Sequence, residues 1–282
     1  MAIYRQSASR DNAVGLRIPP KLFIAAIIAV ISLVTYCSRQ QMNTVTGRKQ
    51  AIAMSFDQEV AMGLQAAPQM AAEFGGEHPD QRAQSLVDAV GARLLKGMPP
   101  EYPPYPFEFH LLADDRTVNA FALPGGQVFI TAALFERLET EGQLAGVLGH
   151  EIGHVLGRHS AAQMAKAELT QGLVGAAGVA GSDVVGPRGA AQMAGVVGNM
   201  MMLKYGRADE LESDYLGLQF MANANYDPRA LIRVMEILRE ASGGASRPEW
   251  TSSHPDPGNR IAEIERHLRT MFPQGVPAGL DP

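Results

Sequence analysis

His150-Glu151-Ile152-Gly153-His154 decides how this 282-residue chain is read. The pentad lies in a proline-free stretch, Glu136 to His159, where Leu144, Val147, Leu148, Ile152, Val155 and Leu156 keep helical spacing. Positions i and i+4 of an α-helix share one face. His150 and His154 therefore turn two imidazole nitrogens toward one point, the spacing that holds a metal ion. Glu151 falls where it can take a proton from water activated there. The pattern is that of a zinc hydrolase, most often a peptidase. Gly146, Gly149, Gly153 and Gly157 would each weaken an isolated helix by about 1 kcal/mol relative to alanine. They are expected where the helix is buried and another element packs closely on it.

A catalytic zinc usually takes three protein ligands and keeps one position open. The third candidate lies in Tyr205-Gly206-Arg207-Ala208-Asp209-Glu210-Leu211-Glu212-Ser213-Asp214, where Glu210 and Asp214 are again i and i+4. One carboxylate can bind the metal while the other hydrogen-bonds a ligand imidazole and fixes its tautomer. Spacing alone also allows an acidic, solvated first turn of a helix. Glu212 points away from Glu210 on such a helix. His159 lies about 140° around a straight helix from His154, so it is read as structural. His78, His110 and His267 have no partner at ligand spacing and are read as surface or packing residues.

Two further segments carry information. Asn119-Ala120-Phe121-Ala122-Leu123-Pro124-Gly125-Gly126-Gln127-Val128-Phe129-Ile130-Thr131 reads as two apolar strands joined across Pro-Gly-Gly. Ser253-His254-Pro255-Asp256-Pro257-Gly258-Asn259-Arg260 is a late His-Pro loop. On chemistry alone His254 is as well read as a turn residue.

With HExxH, the following ExxxD, the NAFALPGG strand pair and the HPxxxxR loop, residues 43–272 resemble metallopeptidase family 48. That group includes CAAX prenyl proteases, HtpX, and Oma-type and bacterial periplasmic quality-control proteases. The resemblance implies an α+β, mainly helical zincin-type fold with a small β-sheet or hairpin beside the HExxH helix. It implies one Zn2+ held by His150, His154 and Glu210, with Asp214 behind them and Glu151 as catalytic base. It gives His254 as a gate that can close on the zinc or as a substrate contact, and Arg260 as a catalytic group that stabilises the charge of the tetrahedral intermediate. Asn119 and Ala120 become substrate contacts on a strand edge that binds extended chains through main-chain hydrogen bonds. Gly206-Arg207 stands where the family usually has Ser-Arg, and Ser213 where it usually has Ala. Both are small-for-small differences. The expected partners are unfolded or misfolded proteins; the alternative is a chaperone-like, zinc-stabilised binding factor for envelope proteins that does not cleave.

Residues 1–21 carry Arg5, Arg10, Arg17 and Lys21 against Asp11, and read as a basic cytoplasmic N-terminus. Residues 22–37 hold the uncharged run LFIAAIIAVISLVTY, a signal anchor or signal peptide. Cys37, the lone cysteine, would suit lipidation, but Tyr36 is large where a small residue normally precedes such a Cys. A retained anchor is favoured, with the catalytic part on the periplasmic or equivalent side. Residues 38–50 read as a linker, 51–272 as the zinc metallopeptidase domain and 273–282 as a Pro/Gly tail. Phe56 to Phe74 and Gln81 to Leu95 are helix-like. The Gly/Ala/Val/Met-rich stretch Gln171 to Tyr205 reads as a hydrophobic pair of short helices; packing within the domain or a protein contact is favoured, and a dip into the bilayer, as in multi-spanning members of the resembled family, is the alternative. A net charge of −5 without a basic stripe argues against nucleic acid as a partner.

Overall fold

The computed structural model describes residues 19–181, 205–242, 250, 254 and 259–282. Its architecture is α+β and mainly helical, with a small sheet beside the HExxH helix. Helix α1, Pro20–Ser38, spans 19 residues and is long and apolar enough to cross a membrane. Strands β1 (Gln40–Met42) and β2 (Lys49–Ala51) then pair antiparallel, Gln41 opposite Gln50. The segment expected as a linker is thus a docked ribbon. Asn43 and Gln50 donate from their side-chain amides to the carbonyls of Leu156 and Gly157, at 2.9 and 2.7 Å. Those carbonyls end the HExxH helix and have no partner within it.

Helices α2 (Phe56–Glu73) and α3 (Gln81–Lys96) open on side-chain caps from Ser55 and Asp80. Strands β3 (Glu108–Leu112), β4 (Ala120–Ala122) and β5 (Gln127–Thr131) form a sheet in the order β3-β5-β4, with β3 parallel and β4 antiparallel to β5. The expected hairpin is present, Phe121 opposite Phe129. Gly125 turns it at φ +85°, where a Cβ would lie 2.4 Å from Val60 Cα, so no other residue fits there.

After the short helix α4 (Ala132–Phe135) comes α5, Glu141–Gly157, capped by Thr140 and buried from Gly142 to Gly157. Val87, Val90 and Leu94 of α3, Leu111, Val128 and Ile130 of the sheet, and Leu144, Leu148 and Ile152 of α5 share one core. The opposite side of α5 meets α7, Arg207–Asn223. A Cβ on Gly153 would stand 3.0 Å from Ser213 Cα, and one on Gly149 would stand 3.3 Å from Gly217 Cα. This close backbone approach is the reason for the glycines in α5. Helix α8 (Ala230–Ser242) and a last helix, Arg260–Met271, cover α5 and α7.

Helix α5 does not run on through His159. Arg158 is left-handed, φ 56°, and α6 starts anew at His159 and continues to Gly181. That conformation costs a non-glycine residue about 1–2 kcal/mol. Offsetting it, the Arg158 guanidinium bonds the Met54 carbonyl at 2.8 Å and buried Glu59 at 3.0 Å. The expected pair of short helices over Gln171 to Tyr205 begins instead inside the single 23-residue helix α6. Residues 182–204 lie outside the described residues.

Candidate metal centre

Helix α5 places His150 and His154 one turn apart with their Nε2 atoms 3.0 Å from each other. Helix α7 crosses at the glycines and brings in Glu210, whose carboxylate oxygens lie 3.6 Å from His150 Nε2 and 3.5 Å from His154 Nε2. His254 closes the group, its Nδ1 3.3 Å from His150 Nε2 and 3.2 Å from Glu210 Oε1. One donor atom from each of the four lies within 4.8 Å of the others, and all four residues are buried.

The hydrogen-bond network assigns the tautomers. Asp214 Oδ1 is 2.9 Å from His150 Nδ1, so that nitrogen carries the proton and His150 Nε2 keeps its lone pair. His159 Nε2 is 2.8 Å from Glu212 Oε2 and donates to it, which leaves His159 Nδ1 as an acceptor. His154 Nδ1, 2.9 Å away, donates to that acceptor and leaves His154 Nε2 bare. Two lone pairs thus face each other at 3.0 Å with no proton between them. Nearby, both Glu151 oxygens and His254 Nε2 are buried with no hydrogen-bond partner, and Glu210 Oε2 has none beyond its ion pairs with Arg260 and His150. Such an arrangement is unfavourable unless a cation sits among the atoms. The mixed imidazole and carboxylate donor set suits zinc.

Electrostatics agree. Burial, offset only in part by Asp214, lowers the His150 pKa. Burial and then the neighbouring imidazoles push His154 well below the ordinary histidine value. Both rings are therefore neutral, as metal binding requires. Glu210 is buried, yet His254 and Arg260 hold its pKa below the ordinary carboxylate value. Burial pushes Glu151 the other way, up to about 7, the range of a useful general base.

Arg260 forks onto Asp214, with Nε 2.8 Å from Oδ2 and Nη2 2.6 Å from Oδ1, while Nη1 lies 3.2 Å from Glu210 Oε2. It is 3% exposed. The expected oxyanion donor is in this geometry committed to the two carboxylates, because an always-charged buried guanidinium needs that compensation. Asn119 and Ala120 are buried, Ala120 pairing with Ile130, so a chain laid on β4 meets their backbone rather than their side chains. Among the described residues β4 is an edge strand beside α5.

His159 corrects the sequence reading, since the break at Arg158 swings it back onto His154. Glu212 does point away from Glu210, but it reaches the site through His159. Spacing in the sequence gives Trp250 and Tyr205 no part in the site. The Trp250 ring stacks on His254 at 4.3 Å and lies 5.3 Å from His150, and the Tyr205 ring stacks on His154 at 4.0 Å. A lone tryptophan shortly before the His-Pro loop was the signal that could have pointed to a cover for the site.

Residues 78–268, holding the whole cluster, match the model of peptidase family M48. The chain belongs to peptidase family M48. It is 31% identical over 246 residues to the beta-barrel assembly-enhancing protease of Escherichia coli and 30% identical over 243 residues to that of Yersinia pestis. Each match covers 83% of this chain and 49% of the relative, so the chain spans about half the length of these proteases. The mitochondrial metalloendopeptidase OMA1 of Schizosaccharomyces pombe is 31% identical over 241 residues, 83% of this chain and 68% of the relative.

Proposed function

We propose that this M48 peptidase is a membrane-tethered zinc metalloendopeptidase that cleaves unfolded or misfolded proteins in extracytoplasmic quality control. The observation that carries the reading is the convergence of bare nitrogens and orphaned carboxylate oxygens on one buried point. His150, His154 and Glu210 would hold the zinc, and Asp214 and His159 would orient the two imidazoles. A zinc bound there supplies Lewis acidity to water and to the scissile carbonyl.

Glu151 takes the proton from the attacking water and delivers it to the leaving amine. The β4 edge holds the substrate extended through backbone hydrogen bonds, a mode with little demand on its side chains. Such tolerance suits clients defined by being unfolded. Arg260 keeps Glu210 and Asp214 ionised and in place. His254, with the Trp250 ring against it, closes the cluster as a fourth donor, and we assign it the role of a gate. The Trp250 amide also reaches the Val118 carbonyl, at 3.4 Å, next to the substrate edge. The N-terminal apolar helix α1 supports a membrane tether, and the names of the two bacterial relatives support an envelope setting.

Four protein donors around one point also suit a structural zinc, which is the basis of a chaperone-like, non-cleaving alternative. A structural site has no use for Glu151, a buried carboxylate outside the four donors whose oxygens have no hydrogen-bond partner. The deciding experiment is Glu151→Gln. Zinc content should stay at one per chain while cleavage of casein drops at least a hundredfold. Undiminished cleavage refutes the mechanism, and undiminished client protection without cleavage in either protein supports the alternative.

A further inference from the structure

Helix α6 runs from the metal cluster to the apolar helix α1 and packs along it antiparallel. Two contacts set the register. Arg39, just past α1, pairs with Glu168 of α6, and Gly172 lies so close to Ser32 that a Cβ there would collide with the hydroxyl. Beyond Glu168, α6 carries no charge from Leu169 to Gly181. Those 13 residues extend about 20 Å beside α1, some two-thirds of a hydrocarbon core about 30 Å thick.

We propose that this end of α6 is embedded in the lipid bilayer against α1, so that the enzyme enters the membrane with two helices. The inference rests on the reading of α1 as a membrane anchor. Three observations choose lipid as the occupant. Phe23, Val30, Ile31 and Val34 of α1 are 57–64% exposed, and its exposed apolar residues spread over more than half of the helix circumference, leaving only the face of Ala25, Ile28, Ala29 and Ser32 for α6. So wide an apolar surface suits lipid, whereas an amphipathic helix on a soluble domain would turn a polar face to water. Leu173 and Val174 of α6, 39% and 66% exposed, continue that surface next to Ser32. Two hydroxyls in this zone bond back to their own helices: Ser32 to the Ile28 carbonyl at 2.8 Å and Thr170 to the Lys166 carbonyl at 2.9 Å. That is how hydroxyls are accommodated where no water is at hand.

The Arg39–Glu168 pair then marks the bilayer surface. His159, bonded to His154, stands nine residues up α6 from Glu168, which sets the metal cluster about 14 Å from the membrane. Extended segments close to the bilayer are the chains that can reach it.

The test uses the full chain in phospholipid nanodiscs with Cys37→Ser as background. Single cysteines at Val34, Val174 and the exposed Arg116 carry an environment-sensitive fluorophore. Doxyl-labelled lipid should quench Val174→Cys as strongly as Val34→Cys, and several-fold more than Arg116→Cys. Quenching at Val34 with Val174 behaving like Arg116 overturns the proposal and leaves the anchor standing. Absence of quenching at both removes the anchor reading and the proposal together.

Discussion

His159 Nδ1 lies 2.9 Å from His154 Nδ1, and this contact exists because the backbone turns left-handed at Arg158 between them. A carboxylate–imidazole–imidazole chain, Glu212 to His159 to His154, thereby fixes which nitrogen of His154 is bare. Replacing His159 with Phe keeps an aromatic ring and removes the acceptor. Zinc affinity, measured by competition with a chromophoric chelator, should weaken about 10–100-fold, the usual effect of losing an outer hydrogen bond to a ligand histidine. An unchanged affinity would show that His154 needs no such partner.

If His254 is the gate proposed for it, opening the site should show as activity. His254→Ala removes a fourth donor but leaves His150, His154 and Glu210. Casein turnover at saturating zinc should rise, while zinc is lost more readily to a chelator. A fall in turnover with zinc still bound would count His254 as part of the catalytic machinery instead.

Trp250 is the single tryptophan of the chain and stacks on His254 at 4.3 Å. Tryptophan emission should therefore change between zinc-loaded and chelated protein, and the change should shrink in His254→Ala. Equal responses in both proteins would mean that the ring does not sense the gate.

Glu151 yields a pH prediction whose sign follows from burial. Its pKa in the metal-free fold is raised to about 7 from the ordinary carboxylate value. The folded metal-free protein thus holds this proton more tightly than the unfolded chain does. Stability associated with Glu151 is present below the ordinary carboxylate value and is lost as pH rises toward 7. Glu151→Gln should accordingly raise the Tm of the chelated protein at pH 8 and leave it nearly unchanged at pH 4. A bound cation favours the ionised form, so the acid limb of kcat/KM for the zinc enzyme should lie at or below pH 7.

Gly153 sets the distance between α5 and α7. A Cβ would meet Ser213 Cα and its carbonyl oxygen at 3.0 Å, both backbone atoms. Gly153→Val should destabilise the fold by about 1–3 kcal/mol in urea unfolding. It should also weaken zinc binding, because α7 carries Glu210 away from the histidines. Gly175→Ala in α6, where nothing lies within 4 Å, is the control and should be neutral or slightly stabilising.

The chain alone determined what local spacing can determine. Helical periodicity put His150 and His154 on one face, the repeat of glycines in α5 announced a close neighbour, and Pro-Gly-Gly announced the hairpin. Between Glu210 and Asp214 spacing was neutral. Only the crossing of α7 at Gly149 and Gly153 turned Glu210 toward the two Nε2 atoms and Asp214 toward a Nδ1. The docking of the β1–β2 ribbon, the partners of Arg260 and the return of His159 onto His154 were equally out of reach of periodicity. Each depends on residues far apart in sequence, or on a single left-handed residue whose strain is compensated by Glu59 and Met54, about a hundred positions away. Local patterns record which face a side chain occupies, and tertiary packing alone decides what meets that face.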